Sequence, residues 1–234
     1  MSFLKAEWRK LVLANYSIDK KILAEHLPYG TELDLYDGKC YVSLVGFKFV
    51  NTKLLGIKIP FHTNFEEVNL RFYVKRFDGD QWKRGVVFIK EIVPRRALTF
   101  VANTVYNENY ETMHMEHSWT TAENHRTIEY KWKKKGRWHK INVEASLDKF
   151  PIEENSETEF ITEHYWGYSQ GRGKTIEYEV EHPQWQVREI ADLQVDVDFG
   201  ATYGDAFAFL NDVAPAHAQY AIGSDVSVSM PGTL

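Results

Sequence analysis

Residues 65–73, FEEVNLRFY, carry the alternation that decides the fold. Val68, Leu70 and Phe72 point one way from an extended chain, while Glu67, Asn69, Arg71 and Tyr73 point the other. A carboxylate, a carboxamide, a guanidinium and a phenol on one strand face form either a solvated surface or the polar lining of a barrel interior. The residues of this strand leave both readings open, and the function depends on which holds.

Strand patterns continue on both sides of this stretch. Residues 31–36 lead into Asp37-Gly38, a strong hairpin turn, and residues 40–50 are rich in Val, Leu and Phe. Gly46 inside that run marks a bulge or a close approach. Residues 51–63 read as a loop, and Asp78-Gly79-Asp80 turns the chain into a strand over 84–93.

Farther out, residues 3–14 fit a short helix or an irregular strand. Ser17 is a suitable N-cap for a helix over 18–26, which Pro28 and Gly30 end and which would plug or cover the sheet. Residues 97–106 suit strand or helix, and 107–117 is the most helix-like interior segment. Residues 126–133 and 138–145 alternate around Gly136 as a hairpin. Gly171-Arg172-Gly173 breaks the chain and is too short for a phosphate cradle. Strands over 174–180, within 185–199 and over 223–230, with a short aromatic helix over 203–210, complete the pattern.

Many short strands, few short helices, no βαβ period, no repeat and no linker predict a mainly β protein with one domain over residues 1–234. A closed antiparallel or mixed β-barrel is favoured, because closure removes edge strands and makes room for a lumen.

The composition narrows the function. Aromatic residues reach 15%, a content that suits sheets and the walls of a ligand cavity. A net charge of -5 gives nucleic acid no concentrated positive surface to bind. The single cysteine, Cys40, excludes an internal disulfide and fits a reducing compartment. The opening MSFLKAEWRK lacks the apolar core of a signal peptide, and no window reaches the ~20 apolar residues of a membrane span. A cytoplasmic protein is expected, and a homo-oligomer is compatible with the sequence.

Arg71 suits a carboxylate through paired hydrogen bonds, and Glu67, if buried, would have a raised pKa fit for acid or base work. Glu67 and Arg71 lie roughly 13 Å apart along the strand, so they act beside one another without pairing. Lys90 interrupts the apolar run 86–93. A desolvated lysine could form a Schiff base there, but a strand reaching the sheet edge explains it better. Glu111, His114 and His117 would share a helix face over 107–117, yet no HExxH motif is present and no metal is assigned. His164, among the aromatics of ITEHYWGY, reads as a hydrogen-bonding residue.

The ordered segments HLPYGTELDLYDGKCYVSLVGFKF, FEEVNLRFYV, GVVFIKEI, NENYETMHME, FITEHYWGY, HPQW and APAHAQYAIGSDVSVSMP resemble the YqjF-like bacterial proteins (domain of unknown function 2071), within the acetoacetate decarboxylase-like superfamily. The likeness runs almost end to end. It implies a cone-like β-barrel with a buried cavity lined by glutamates and an arginine, and in the decarboxylases a lysine Schiff base with a second lysine beside it. Glu67 matches the strand glutamate of that site. The segment expected to hold the lysine pair, residues 109–112, has none. The resemblance supplies almost no chemistry of its own, and the function expected from the residues is binding of a small organic anion, with Asn69, Arg71, Tyr73 and His164 as ligand contacts. The alternatives are a cofactor-independent acid/base enzyme using Glu67 and Tyr110 and a structural protein with a filled barrel.

Overall fold

The computed structural model describes residues 2–171 and 173–234, so Arg172 of the Gly-Arg-Gly break lies outside the described residues. In chain order the elements are β1 (Ser2–Ile18), α1 (Lys20–Ala24), β2 (Glu32–Leu33), β3 (Cys40–Leu54), β4 (Phe65–Phe77), β5 (Trp82–Val93) and α2 (Arg96–Val105). Next come β6 (Tyr110–Thr112), β7 (His114–Thr121), β8 (His125–Lys134), β9 (Arg137–Ser146), β10 (Phe150–Pro151), α3 (Glu157–Thr162), β11 (Trp166–Gln170) and β12 (Thr175–Glu181). The chain ends with β13 (Gln186–Arg188), β14 (Ile190–Asp196), α4 (Phe199–Tyr203), a 3-10 helix (Asp205–Asp212), β15 (His217–Ser229) and β16 (Gly232–Thr233).

Two sheets organise these strands. In the larger, pairings run β15-β1-β3-β4-β5-β11-β12, and β12 returns to β15 through Val180–Val228 and Glu181–Ser227. The strand pairings thus form a ring, antiparallel throughout except where β11 and β6 join β5 in parallel. The smaller sheet has the order β14-β9-β8-β7.

The β4 alternation sorts its side chains between two interiors. Val68, Leu70 and Phe72 are fully buried and pack with Tyr130, Trp132, Ile141 and Val143 of the smaller sheet. Each such side chain contributes about 1.5–3 kcal/mol through removal from water. The opposite face of β4 looks onto a second apolar cluster that includes Phe47, Phe49 and Phe65. Gly46 of β3 sits between the sheets as a close approach. A Cβ there would lie 2.9 Å from Tyr130 Cδ2 and 3.1 Å from Ile141 Cγ2. Both neighbours are fully buried, so Gly46→Ala is expected to lower stability by about 1–3 kcal/mol. Urea unfolding checks this, and an unchanged midpoint would mean that the sheets part freely.

Two helix expectations are corrected and one open choice is resolved. The helix placed over 18–26 is shorter and begins later, because Ser17 and Ile18 pair with β3 as the end of β1. Its cap is Asp19, whose Oδ1 accepts the Lys21 N–H at 2.9 Å. Residues 3–14 belong to that same 17-residue strand. The helix expected over 107–117 is absent, replaced by β6 and β7. Met113 and Met115 are both buried with exposed His114 between them, which is strand parity. Glu111 and His117 therefore cannot share a helical face with His114. Glu111 pairs with Lys90 and Lys134, and His117 with Glu66 and Lys48, so the described residues contain no metal-binding cluster.

Candidate functional site

The inner face of the strand ring encloses a mainly apolar cavity of about 210 Å³. Aromatic residues supply much of its wall, among them Trp8, Phe47, Phe49, Phe88 and Trp166. The odd-numbered face of β4 delivers Glu67, Asn69 and Arg71 into it, each at most 8% exposed. This settles the choice between solvated face and lining in favour of the lining.

A bulge in β5 sets what stands beside them. Arg71 pairs with Phe88 but Leu70 pairs with Lys90, which leaves Ile89 as the extra residue. One extra residue flips the side-chain parity of the rest of the strand. Val86 and Phe88 face the cavity before the bulge and Glu91 faces it afterwards. Lys90 is turned outward, where its Nζ meets Glu111 Oε2 at 2.9 Å. Asn109 holds the bulge from the neighbouring chain: its Nδ2 donates to the Ile89 carbonyl at 2.8 Å, and its carbonyl accepts the Glu91 N–H at 3.1 Å.

The parallel pairing of Glu91 with Tyr110 brings the phenol to the same face. Tyr110 donates to Glu67 Oε2 at 3.1 Å, and Asn69 Nδ2 donates to Glu67 Oε1 at 3.0 Å. Glu108, just before β6, accepts from Tyr178 of β12 at 2.7 Å. Gly167 makes room for that phenol, since a Cβ there would lie 2.1 Å from Tyr178 Cζ. Three carboxyl groups thus line one apolar cavity.

Their acidity follows from burial. Desolvation pushes Glu67 up to about 7, opposed by the hydrogen bonds from Asn69 and Tyr110 and by the Arg71 charge. Burial lifts Glu108 to about 8 against its bond from Tyr178. Glu91 is held well above the usual carboxylate range, first by burial and then by the charges of Glu108 and Glu67. The cluster therefore stores protons at neutral pH.

His164 reaches the cavity from the segment between α3 and β11. Its Nε2 lies 3.2 Å from Asp34 Oδ2, which also receives Arg84 Nε at 2.6 Å. Burial drives the imidazole down to about 4, with Asp34 opposing, so the ring is neutral at pH 7.

The structure brings together Glu67, Asn69, Arg71, Tyr110 and His164 around one cavity. Tyr73 stands behind it. Its hydroxyl lies 2.7 Å from Ser43 Oγ, and its ring packs 4.8 Å from that of His164, so it buttresses the histidine and is not part of the lining. Glu91, Glu108 and Tyr178 also line the cavity with no sequence signal to mark them, and His182, which like His164 reads as a hydrogen-bonding histidine among aromatics, lines it too. No lysine is among the lining residues, so the described site has no amine for a Schiff base.

Several solved structures share this architecture. The enduracididine biosynthesis enzyme MppR, complexed with the condensation product of pyruvate and imidazole 4-carboxaldehyde, superposes with a TM-score of 0.69 at 11% identity, covering 100% of this chain and 90% of its own. An acetoacetate decarboxylase-like enzyme from Sphingomonas wittichii RW1 gives 0.67 at 10% identity, covering 100% and 94%. Acetoacetate decarboxylase from Legionella pneumophila gives 0.67 at 9%, covering 99% and 86%. These likenesses establish an acetoacetate decarboxylase-like fold. In sequence, the uncharacterized protein YqjF of Bacillus subtilis is 26% identical over 200 residues, which is 83% of this chain and 78% of YqjF. The DUF2071 family, Uncharacterized conserved protein, matches residues 5–225. The chain therefore belongs to the DUF2071 family and carries it on an acetoacetate decarboxylase-like β fold.

Proposed function

We propose that this protein binds a small organic carboxylate in the cavity, with Arg71 gripping the acid group and the aromatic wall enclosing the rest. One observation carries the reading. Arg71 is 8% exposed, lines the cavity, leaves its Nε without a hydrogen-bond partner and takes part in no ion pair among the described residues. A buried guanidinium without a counter-charge is costly, and an anionic ligand supplies the charge. The nearby carboxyls do not compete for it as long as they hold their protons, and the O–H of protonated Glu67 is then a hydrogen-bond donor to an anion.

Arg71→Met is expected to weaken binding of small carboxylates by about 2–5 kcal/mol, as truncation of a buried charge partner does. Calorimetric titration with a panel of carboxylic acids and their neutral amides measures it. Equal affinity for acids and amides, or an unaltered affinity in R71M, would sink the reading.

Acid/base catalysis is the second reading, favoured by Glu67. Its pKa of about 7 matches the range in which a carboxyl both takes and gives a proton efficiently. Under it, Glu67→Gln keeps ligand binding and loses turnover. A route through a lysine Schiff base is not proposed, because Lys90 is turned away from the cavity and occupied by Glu111.

A further inference from the structure

The polar atoms that the cavity leaves without protein partners describe the ligand more closely than its charge does. This step rests on the carboxylate reading above. Arg71 Nε is a buried donor with nothing to donate to. Five further buried atoms of lining residues lack partners: Trp8 Nε1, Thr52 Oγ1, Glu91 Oε2 and the pair that matters here, Asn69 Oδ1 and His164 Nδ1. Both are fixed as acceptors by what their other ends do. Asn69 gives its Nδ2 to Glu67, which leaves its carbonyl oxygen free. Asp34, held ionised by His164 and Arg84, can only accept, so the His164 proton sits on Nε2. The remaining ring nitrogen then offers a bare lone pair.

The His164 ring cannot swing to find another partner. Tyr73 packs 4.8 Å from it and Phe160 5.2 Å, the latter edge-on. Arg71 lies over the same Tyr73 ring, its guanidinium carbon 5.7 Å from the ring centre. An anion-gripping donor and an acceptor of fixed tautomer thus both stand against one aromatic ring. A ligand that is only a carboxylate would satisfy Arg71 and leave the acceptors dry. A buried polar atom left unpaired is expensive, so a ligand carrying a donor near its acid group is strongly selected.

We propose that the cavity is built for a hydroxy acid with an apolar tail: its carboxylate on Arg71, its hydroxyl donating to His164 Nδ1 or Asn69 Oδ1, and its tail against the aromatic wall.

The test compares paired acids that differ only in the hydroxyl. Calorimetry with 3-phenyllactate against 3-phenylpropanoate, 2-hydroxy-4-methylpentanoate against 4-methylpentanoate, and lactate against propanoate covers three tail sizes. In the unaltered protein the hydroxy member of at least one pair is expected to bind at least about tenfold more tightly. His164→Phe or Asn69→Leu should bring the two members of that pair within about twofold, whereas R71M should weaken both. The comparison within the unaltered protein stands even if a variant does not fold. Equal, Arg71-dependent affinity for both members would overturn the hydroxy-acid proposal and leave the carboxylate reading standing. Binding of no acid in any pair would overturn both.

Discussion

Gly223→Ala is expected to remove more than about 4 kcal/mol of stability, enough to unfold a domain of ordinary stability. Gly223 pairs with Arg9 where β15 crosses β1, and its φ of +85° is open to glycine and strained for any other residue. The space is closed as well. A Cβ at 223 would sit 2.0 Å from the Trp8 carbonyl oxygen and 2.7 Å from its carbon. These are backbone atoms, so no rotamer change relieves the overlap. The facing segment of β1 is already irregular: its pairing with β3 slips between Arg9 and Val12, and Lys10 takes φ 58°. The strain would have to spread along a strand in the middle of the ring. It would also reach the cavity, because Trp8 is part of the wall and lies edge-on to Phe47 at 5.3 Å. Thermal and urea unfolding of G223A measure the loss. A cost below about 1 kcal/mol would mean that β1 and β15 separate there without penalty, and the ring would be looser than its pairings imply.

How far this architecture could be read from sequence depends on whether a local pattern has a single physical solution. The β4 alternation does, since Val68, Leu70 and Phe72 cannot all face water, and it puts Glu67, Asn69 and Arg71 together on the opposite face. The β8–β9 hairpin was equally legible, with Gly136 at the turn and Ile128, Tyr130 and Trp132 buried in alternation. The β5 bulge was not. Val86, Val87, Phe88 and Ile89 are apolar on both faces, so nothing in that run marks the place where parity changes. Without the bulge Lys90 would face the cavity; with it Glu91 does, and the chemistry of the site changes from amine to acid. The signal lies some twenty positions away in Asn109, which ties Ile89 and Glu91 together. Glu108 was lost for a related reason. A helical reading of 107–117 projects its side chains on the wrong period, and only the parallel pairing of β6 with β5 shows that Tyr110 stands beside Glu91. Long-range pairing overrode local preference at both places.

Glu67→Gln is expected to make the protein more stable in mild alkali and no more stable in mild acid. The sign follows from the direction of the shift. Glu67 has an ordinary value of 4.5 and is raised to about 7 by burial in the fold. Between those two pH values the native state holds a proton that the unfolded chain has already released, so stability falls as pH rises through this window. Below about 4.5 both states are protonated and no penalty exists; above about 7 both are ionised and the penalty is complete. A shift of this size corresponds to about 3 kcal/mol. Glutamine keeps the shape, still accepts from Asn69 through its carbonyl, and can donate from its amide to the Tyr110 oxygen, yet it never ionises. Urea unfolding from about pH 4.5 to about pH 9 should therefore show the E67Q and unaltered curves together at the acid end and diverging by up to about 3 kcal/mol at the alkaline end. Glu91 and Glu108, also raised, remain in E67Q, so the variant should keep part of the alkaline decline. Coincident curves, or a less stable E67Q above neutrality, would show that Glu67 is ionised and comfortable in the fold. The same linkage reaches function. A carboxylate seated on Arg71 places a second negative charge near Glu67, raises its pKa further and draws a proton from solvent, so binding at neutral pH should take up protons and weaken as pH rises. A cavity in which the glutamates were spectators would bind the same acid with no proton uptake, and titration in two buffers of different ionisation enthalpy tells these apart.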